Sequence, residues 1–538
     1  FHKLRPEVPI WVGGPEVSYE TESFLRCHPQ ITGVMIGEGE KTFCELAEYY
    51  AGESRRDKET EEKQRIQETQ RTGESKCTKE RSKLGEITGI AYQNGDEIIF
   101  TAPREMLDLS DIPFCYDKAG DFKNRIIYYE SSRGCPFSCS YCLSSVEKQL
   151  RFRNTELVKK ELQFFIDREV PQVKFVDRTF NCNHAHAMEI WSYIKEHDNG
   201  ITNFHFEISA DLLKEEELAL IGTMRPGLIQ LEIGVQSTNG ATIKEIHRTM
   251  QLERLKEVVR EVQKHENIHE HLDLIAGLPF EDYDTFAKSF DEIYELRPNQ
   301  LQLGFLKVLK GSYMYEHAKE YEITYHSRPP YEVLKTKWLP YDDVLKIRQV
   351  EEMIEVYYNS GQFEVTMKVL GVLFKSAFFL FQDLGKFYEK KGYFGMSHAR
   401  IRRSEILLEF VEETFSADTE KENLQEVQNL CEISDIIKES LIFDLYYREN
   451  CKSRPAWAKD LSTWKQVTRI YCKNGKQSHV ECFSYRFPDK GERVLKELPE
   501  RAEKPLYALF DYTDRDPLDH QAKVTWIMED ENAGLCSN

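Results

Sequence analysis

The hydrophobic pattern of residues 125–309 alternates between short β-rich runs and amphipathic helices. Stretches such as Glu156–Asp167 place Val158, Leu162 and Phe165 at the spacing of one buried helix face. This strand–helix order predicts an α/β fold with a partial (β/α)6 barrel, whose functional groups lie at the C-terminal ends of the strands. The predicted strands are Ile126–Glu130, Val173–Val176, His205–Ile208, Ile229–Val235, Leu272–Ile275 and Leu301–Phe305.

A second α/β layer is predicted upstream, in residues 1–50. Residues 8–14 form an apolar run that ends in Gly13 and Gly14, and Gly33–Ile36 forms another that is closed by Gly37-Glu38-Gly39-Glu40. A helix follows from near Lys41. Because the chain opens on Phe1 rather than Met, we expect the N-terminal part of this layer to be missing.

The segments between and after these layers have different patterns. Residues 51–86 have only Ala51, Ile66 and Leu84 as aliphatic residues, which predicts a charged flexible insertion. Residues 87–124 are expected to form a hairpin around Asn94-Gly95 and a linker. The domain with the βα repeat is expected to extend over 125–320, and a mostly helical region over 321–538, where Val369–Phe381 predicts one buried helix.

The composition limits the classes of partner that the protein is expected to bind. The chain has 72 basic and 92 acidic residues, and its formal net charge of -20 disfavours nucleic acid and anionic membranes as partners. No apolar run is long enough to span a bilayer. Most of the 13 cysteines are scattered singly, which fits free thiols in a reducing cytoplasm better than a disulfide framework.

Three cysteines form the one dense cluster of candidate ligands. Cys135, Cys139 and Cys142 have the spacing C-x3-C-x2-C directly after a predicted strand. Three thiolates in one loop suit a [4Fe–4S] cube with one open iron, which can chelate the amino and carboxylate groups of S-adenosylmethionine (SAM). The alternatives are a structural zinc site, which would want a fourth ligand close by, and buried thiols without a metal.

This motif resembles the radical SAM superfamily. The resemblance rests on the cysteine triplet, on Tyr141 just before the third cysteine, and on the position of both after the first strand of a βα repeat. It implies that Cys135, Cys139 and Cys142 hold a cluster that cleaves SAM reductively to a 5′-deoxyadenosyl radical, and that Tyr141 is one of the residues that bind SAM. It also implies an electron donor such as flavodoxin or ferredoxin.

Four later segments resemble the coproporphyrinogen-dehydrogenase and methylthiotransferase side of that superfamily. The resemblance implies that Glu207 hydrogen-bonds the SAM ribose, that Gln236 lies near the ribose and methionine, and that Arg248 pairs with the SAM carboxylate. Asp273 matches another acid close to SAM. The chain departs from its relatives after the second strand, where residues 175–181 lack a glycine, and we expect Asp177 or a main-chain carbonyl to replace it.

The upstream glycine turns resemble the last two strand ends of a flavodoxin-like cobalamin-binding domain. The resemblance implies that Gly13, Gly14, Gly37 and Gly39 let the backbone approach cobalamin in the full-length protein. We expect the chain as given to bind cobalamin poorly or not at all, because two strands rarely make a stable layer. Residues 301–311 and 329–332 resemble a bacterial group of such proteins that ends in a domain of unknown function.

The sequence therefore predicts a radical SAM enzyme that acts on a small-molecule or unknown substrate, with cobalamin-dependent methyl transfer to an unactivated carbon as one form of that chemistry. An RNA methylthiotransferase is a second hypothesis, which the acidic charge weighs against. A cluster-bearing sensor or electron carrier without SAM chemistry is the third. Fold-level resemblance does not name the substrate.

Overall fold

The computed structural model describes residues 2–52, 84–118, 120, 122–146, 148–416, 424–472, 477–488 and 491–527. The chain divides into two compact units. Unit 1 contains Phe1–Asp121, Ser131–Glu161 and Val308–Ala318, and unit 2 contains Phe122–Glu130, Leu162–Lys307 and Lys319–Asn538. Most of the predicted insertion at 51–86 lies outside the described residues.

Unit 1 contains a four-stranded sheet in the order β1-β2-β3-β4. Strands β1 and β2 are parallel, and the predicted hairpin around Asn94-Gly95 adds β3 and β4 in antiparallel fashion. Val17, Leu25, Val34 and Ala91 form part of its core. The bounds are Trp11–Gly13, Gly33–Met35, Ile90–Asn94 and Glu97–Phe100 for the strands, with helices at Pro15–Ser18, Thr21–Cys27 and 40–52.

Unit 2 contains a parallel sheet of six strands in the order β12-β11-β10-β9-β8-β5. All six strands predicted for the βα repeat are present, with ends that shift by a few residues, so the predicted α/β class is confirmed. The short strands β6 (Ser132–Arg133) and β7 (Arg151–Phe152) belong to unit 1. The six bounds are Ile126–Tyr129 (β5), Gln172–Phe175 (β8), Asn203–Ile208 (β9), Ile229–Gln236 (β10), His269–Ala276 (β11) and Gln300–Phe305 (β12).

One face of this sheet is apolar and supports the helices of the repeat. Phe175, Phe180, Trp191 and Phe206 are fully buried and pack with ring centroids 4.4 to 5.9 Å apart. Such aromatic packing fixes helices on a sheet through large buried area. The helices are Thr155–Asp167, His184–Glu196, Glu215–Ile221, Gly240–Glu245, Leu252–Gln263 and Tyr283–Tyr294.

The C-terminal region is mostly helical, as predicted, and it ends in an antiparallel sheet that the sequence did not reveal. The predicted single helix at Val369–Phe381 is wrong: one helix ends at Leu373 and the next begins at Ala377, because Phe374 is extended and Ser376 caps the new helix by accepting from Phe379 N. Among the described residues, no helix is long and apolar enough to cross a membrane. The elements include a hairpin of Thr324–Tyr325 and Val333–Lys335, helices Tyr313–Glu316, Tyr341–Ile354, Glu364–Leu373, Ala377–Lys391, Arg400–Ser416, Leu424–Arg448 and Lys465–Tyr471, and strands Ser478–Tyr485, Arg501–Asp511 and Lys523–Ile527.

Candidate functional site

The three predicted cluster ligands share one loop of unit 1, enclosed between the antiparallel strands β6 and β7. Cys135 and Cys139 are buried, Cys142 is half-buried, and none of the three forms a disulfide. The backbone N–H of Cys142 donates to the carbonyl of Cys139 at 3.1 Å. Gly134 has a φ of 94°, and a Cβ there would collide with the Gln149 backbone, so the turn into the loop requires glycine.

The donor set of this loop fits an iron–sulfur cube. Ser140 Oγ is buried without a hydrogen-bond partner, while its carbonyl accepts from Met314 N at 2.9 Å. In the part of the chain that is described, no three His, Cys, Asp or Glu side chains converge closely enough to hold one metal ion. Ligands of a [4Fe–4S] cube bind different irons and need not converge, so three thiolates suit a cube with one open iron. Tyr141 is half-buried in the same loop.

Glu38 pairs with strands β6 and β7, which flank the cysteine loop on either side. Its carboxylate lies 2.7 Å from Arg133 and 2.7 Å from Arg151, which face each other across the β6–β7 pair. It also accepts from Leu107 N at 3.0 Å. Burial acts to raise the pKa of Glu38, but the hydrogen bonds from Arg151, Leu107 and Arg133 hold that pKa at about 2. Sequence reasoning missed this role, because the partners lie far apart in the chain.

The four glycines proposed to face cobalamin follow strands β1 and β2 of unit 1. Gly14 has a φ of 97° and Gly37 a φ of 79°. No atom lies within 4 Å of the place where a Cβ would stand on Gly14, Gly37 or Gly39, whereas on Gly13 it would lie 3.3 Å from Met35 O. The turns therefore present open backbone, which fits close approach of a large planar ligand.

Four of the five predicted SAM contacts lie in unit 2, and three of these four meet around Gly234. The fifth, Tyr141, lies in unit 1. Arg248 Nη2 donates to the Gly234 carbonyl, and Asp273 is the Cα partner of Gly234 on the neighbouring strand. A Cβ on Gly234 would collide with the side chain of Gln236, whose own φ is 75°. Gln236 Oε1 is buried without a hydrogen-bond partner, as expected of a group that awaits a ligand.

Glu207, the fourth predicted contact, belongs to a polar face of the same sheet. We use "polar face" for eight side chains that alternate with the apolar residues of four strands. In register, Glu207 faces Glu232 and Glu232 faces His271. The members are Lys174, His205, Glu207, Gln230, Glu232, His269, His271 and Asp273.

The charges of this polar face are unequally compensated. Glu232 lies 2.8 Å from Lys174 Nζ and 2.9 Å from His205 Nε2, and although burial acts to raise its pKa, these donors hold the pKa at about 2. For Glu207, burial and the neighbouring Glu232 carboxylate raise the pKa to about 7. Glu232 is therefore charged at neutral pH, whereas the Glu207 carboxyl gains or loses its proton near neutral pH.

His271 and Asp273 form a second pair on the polar face, 3.0 Å apart. Burial acts to lower the pKa of His271, but the hydrogen bond to Asp273 and the negative charges of Asp273 and Glu232 together raise the pKa. Sequence reasoning missed Lys174, His205, Glu232 and His271. The signal was available, because polar residues at every second position of an otherwise apolar strand predict one polar face.

The glycine-free segment after β8 is held by a side chain. Asn181 Nδ2 donates to Ser209 O at 2.8 Å, and Asn181 Oδ1 accepts from Ser209 N at 3.0 Å. These bonds fasten the segment to the end of β9. Asp177 is fully buried in the same segment, and its role in place of a glycine turn stays a prediction.

Two family models match this chain. Residues 129–293 match the radical SAM superfamily, and residues 319–493 match a protein family of unknown function, DUF4080. The chain therefore carries a radical SAM domain, as its motifs predicted, followed by a DUF4080 domain. A radical SAM domain implies a [4Fe–4S] cluster and SAM as cofactors.

Curated relatives agree with this class at low identity. An uncharacterized methyltransferase of Pyrococcus horikoshii is 23% identical over 68% of this chain and 74% of that protein. An anaerobic magnesium-protoporphyrin IX monomethyl ester cyclase of Synechocystis is 23% identical over 48% of each chain. The cobalamin-dependent radical SAM methyltransferase TokK of Streptomyces tokunonensis is 25% identical over 54% of this chain and 41% of that protein. The match thus spans about three quarters of the first relative and less than half of the other two.

Among solved structures, the radical SAM methyltransferase TsrM of Kitasatospora setae, with cobalamin and a [4Fe–4S] cluster bound, is 15% identical. The match covers 61% of this chain and 64% of that chain, with a TM-score of 0.45.

Proposed function

We propose that this chain is a radical SAM enzyme in which Cys135, Cys139 and Cys142 hold the cluster. The observation that carries the proposal is the enclosure of three cysteines, none in a disulfide, in one loop whose two flanking strands both pair with Glu38. When bound, the cluster supplies the electron that splits SAM into methionine and a 5′-deoxyadenosyl radical. The work of the chain is to hold the cluster and orient SAM.

We infer that the residues around Gly234 orient SAM. The Arg248 guanidinium suits the methionine carboxylate, which a planar fork binds through two hydrogen bonds. Gln236 Oε1 is an unused acceptor that suits a hydroxyl or ammonium donor of SAM. Glu207 and Asp273 offer carboxylate oxygens to the ribose hydroxyls.

We further infer a second cofactor, cobalamin, which the full-length protein would hold at the open glycine turns of unit 1. Gly13, Gly14, Gly37 and Gly39 would contact it through their backbone, and bound cobalamin would carry a methyl group to an unactivated carbon. The support is the free space over Gly14, Gly37 and Gly39 and the resemblance to relatives named as cobalamin-dependent methyltransferases. The substrate is proposed to be a small molecule and the electron donor a flavodoxin or ferredoxin. The scattered free thiols favour a reducing cytoplasm.

The test is product analysis after anaerobic reconstitution and chemical reduction, with SAM labelled in its methyl group. The proposal expects 5′-deoxyadenosine from the wild-type chain and none from Cys139→Ala. Hydroxocobalamin added to the full-length protein should also yield S-adenosylhomocysteine if methyl transfer occurs. A wild-type chain with a full cluster that releases neither product would act as a sensor or electron carrier, and the proposal would fail.

A further inference from the structure

A cavity of about 310 Å³ lies within unit 2. The residues that line it include neither the three cluster cysteines nor Gly234. The volume of the cavity is that of a pocket for a small organic ligand. The walls come from six separate parts of the chain: Glu266 and His269 around the start of β11, the loop before β12, the segment at 357–368, the end of helix Leu424–Arg448, Arg493, and the loop at 518–521. Most of the lining belongs to the C-terminal region.

One part of the cavity wall is a π-helical turn that side-chain hydrogen bonds hold in place. Residues Glu355–Asn359 form a π-helical turn, a feature that is frequent at functional sites. Tyr358 Oη donates to the Pro298 carbonyl at 2.5 Å, and the Asn359 side chain bonds both Leu301 N and Leu301 O at 2.9 Å. Arg297 has a φ of 52°, a left-handed conformation that a non-glycine residue adopts only when its surroundings impose it.

Three guanidinium groups of this cavity lack a carboxylate partner. In the described residues, no carboxylate lies within ion-pair distance of Arg297, Arg448 or Arg493. Arg493 Nη1 donates to the Arg297 carbonyl at 3.1 Å, and Arg448 Nη1 donates to the Asp519 carbonyl. Arg297 lies over the Tyr294 ring at 4.4 Å, and its Nε is buried without a hydrogen-bond partner.

The acids near these arginines do not neutralise them. Glu364 is paired with Lys368 at 2.9 Å and accepts from Gln521, and Glu266 is exposed. Glu270 is fully buried, and burial raises its pKa to about 8, so this carboxyl is protonated at neutral pH and gives Arg493 no counter-charge. The cavity lining carries three arginines and Lys368 against three carboxylates, those of Glu266, Glu364 and Asp519. Because the three half-buried guanidiniums form no ion pair among the described residues, they can pair with an anionic ligand.

We propose that this cavity binds a phosphate monoester of a small organic molecule. Guanidinium forks match phosphate oxygens in charge and geometry, and a phosphate offers enough acceptors for all three arginines. Tyr358 and Leu518 line the same cavity, keep part of their surface exposed and suit the organic part of the ligand. None of the three arginines belongs to the cysteine loop or to the residues proposed to bind SAM, although His269 belongs both to the polar face and to the cavity wall.

Calorimetric titration with phenyl phosphate tests the proposal on the full chain. We expect saturable binding that weakens about tenfold or more in Arg493→Gln and in Arg297→Gln, because each change removes a charge-assisted hydrogen bond. Arg402→Gln is the matched control, since Arg402 is paired with Glu405 and Glu409 outside the cavity, and it should bind as the wild type does. Benzoate should bind about tenfold more weakly than phenyl phosphate.

A second measurement guards against variants that fail to fold. Phenyl phosphate should raise the melting temperature of the wild-type chain more than sodium chloride of equal ionic strength, and equally in Cys139→Ala, because binding stabilises the folded state. Arg493→Lys should bind with intermediate affinity. No saturable binding at millimolar phenyl phosphate, or equal binding by Arg493→Gln, would overturn the proposal, and equal affinity for benzoate would overturn the phosphate assignment.

Discussion

The cysteine loop of unit 1 and the polar face of unit 2 solve the same problem, holding reactive groups in place, by opposite means. The loop carries its ligands within a few consecutive residues, but its rigidity comes from Glu38, which is distant in sequence. The polar face draws its groups from four strands between Lys174 and Asp273, yet each side chain is placed by strand periodicity and register. A loop motif in the sequence therefore identifies individual ligand residues. The alternating pattern of a sheet identifies which residues share one surface.

The largest expected effect is loss of the cluster when a cysteine of the loop is replaced. Cys139→Ala should abolish the cluster, because two remaining thiolates of the triplet cannot hold a cube with one open iron. Iron and sulfide analysis after anaerobic reconstitution measures this. Cys115→Ala, which changes an exposed thiol of the same unit, should keep the full cluster content. Full iron and sulfide in Cys139→Ala would mean that the ligand assignment is wrong.

The second-largest effect is expected on SAM affinity, when the residues around Gly234 are changed. Arg248→Ala and Asp273→Asn should weaken SAM binding and leave the cluster intact, since losing one partner of a partly buried charged contact typically costs about 2–5 kcal/mol. Calorimetry with SAM measures the change. Arg254→Ala serves as control, because this arginine pairs with Glu257 on a helix surface. Unchanged affinity in both site variants would remove Arg248 and Asp273 from the SAM site.

These two regions also show how much the sequence could predict. The cysteines, the βα repeat and the strand ends that carry Glu207, Gln236 and Asp273 follow from local spacing and periodicity. The clamp by Glu38 could not be predicted, because a turn of glycines and acids gives no sign of which distant arginines it will meet. The pairing of Glu232 with Lys174 needed the register of three strands, which an alternating pattern alone does not set.

A smaller effect concerns the pH dependence of the polar face. The pKa of Glu207 is raised from 4.5 to about 7 in the folded state, so the protonated carboxyl is favoured, and stability is lost as the pH rises through about 7. Glu207→Gln should therefore match the wild type near pH 5 and exceed it at pH 8 by about 1–3 kcal/mol.

Thermal unfolding of the two chains at pH 5 and pH 8 measures this difference. Glu215→Gln, a change at an exposed helix residue, should follow the wild type at both values. If the advantage of Glu207→Gln did not grow with pH, the carboxyl would not be held neutral by its surroundings.

The smallest effect is expected at the clamp. Glu38→Gln keeps the shape of the side chain but removes the charge that two arginines share, and we expect a loss of about 1–2 kcal/mol because the group is partly exposed. The readouts are the melting temperature and the rate at which the cluster is lost in air. Glu22→Gln breaks an exposed pair of the same unit and should change neither. A cluster that is equally durable in Glu38→Gln would show that the loop needs no clamp.

The central claim is that this chain binds SAM at an open iron of a cluster held by three cysteines. Electron paramagnetic resonance of the reconstituted and reduced chain, recorded before and after SAM is added, tests it most directly. We predict that SAM shifts the signal of the wild-type cluster and that Arg248→Ala needs a much higher SAM concentration for the same shift. A fully loaded, reduced cluster whose signal is unchanged by saturating SAM would contradict the account.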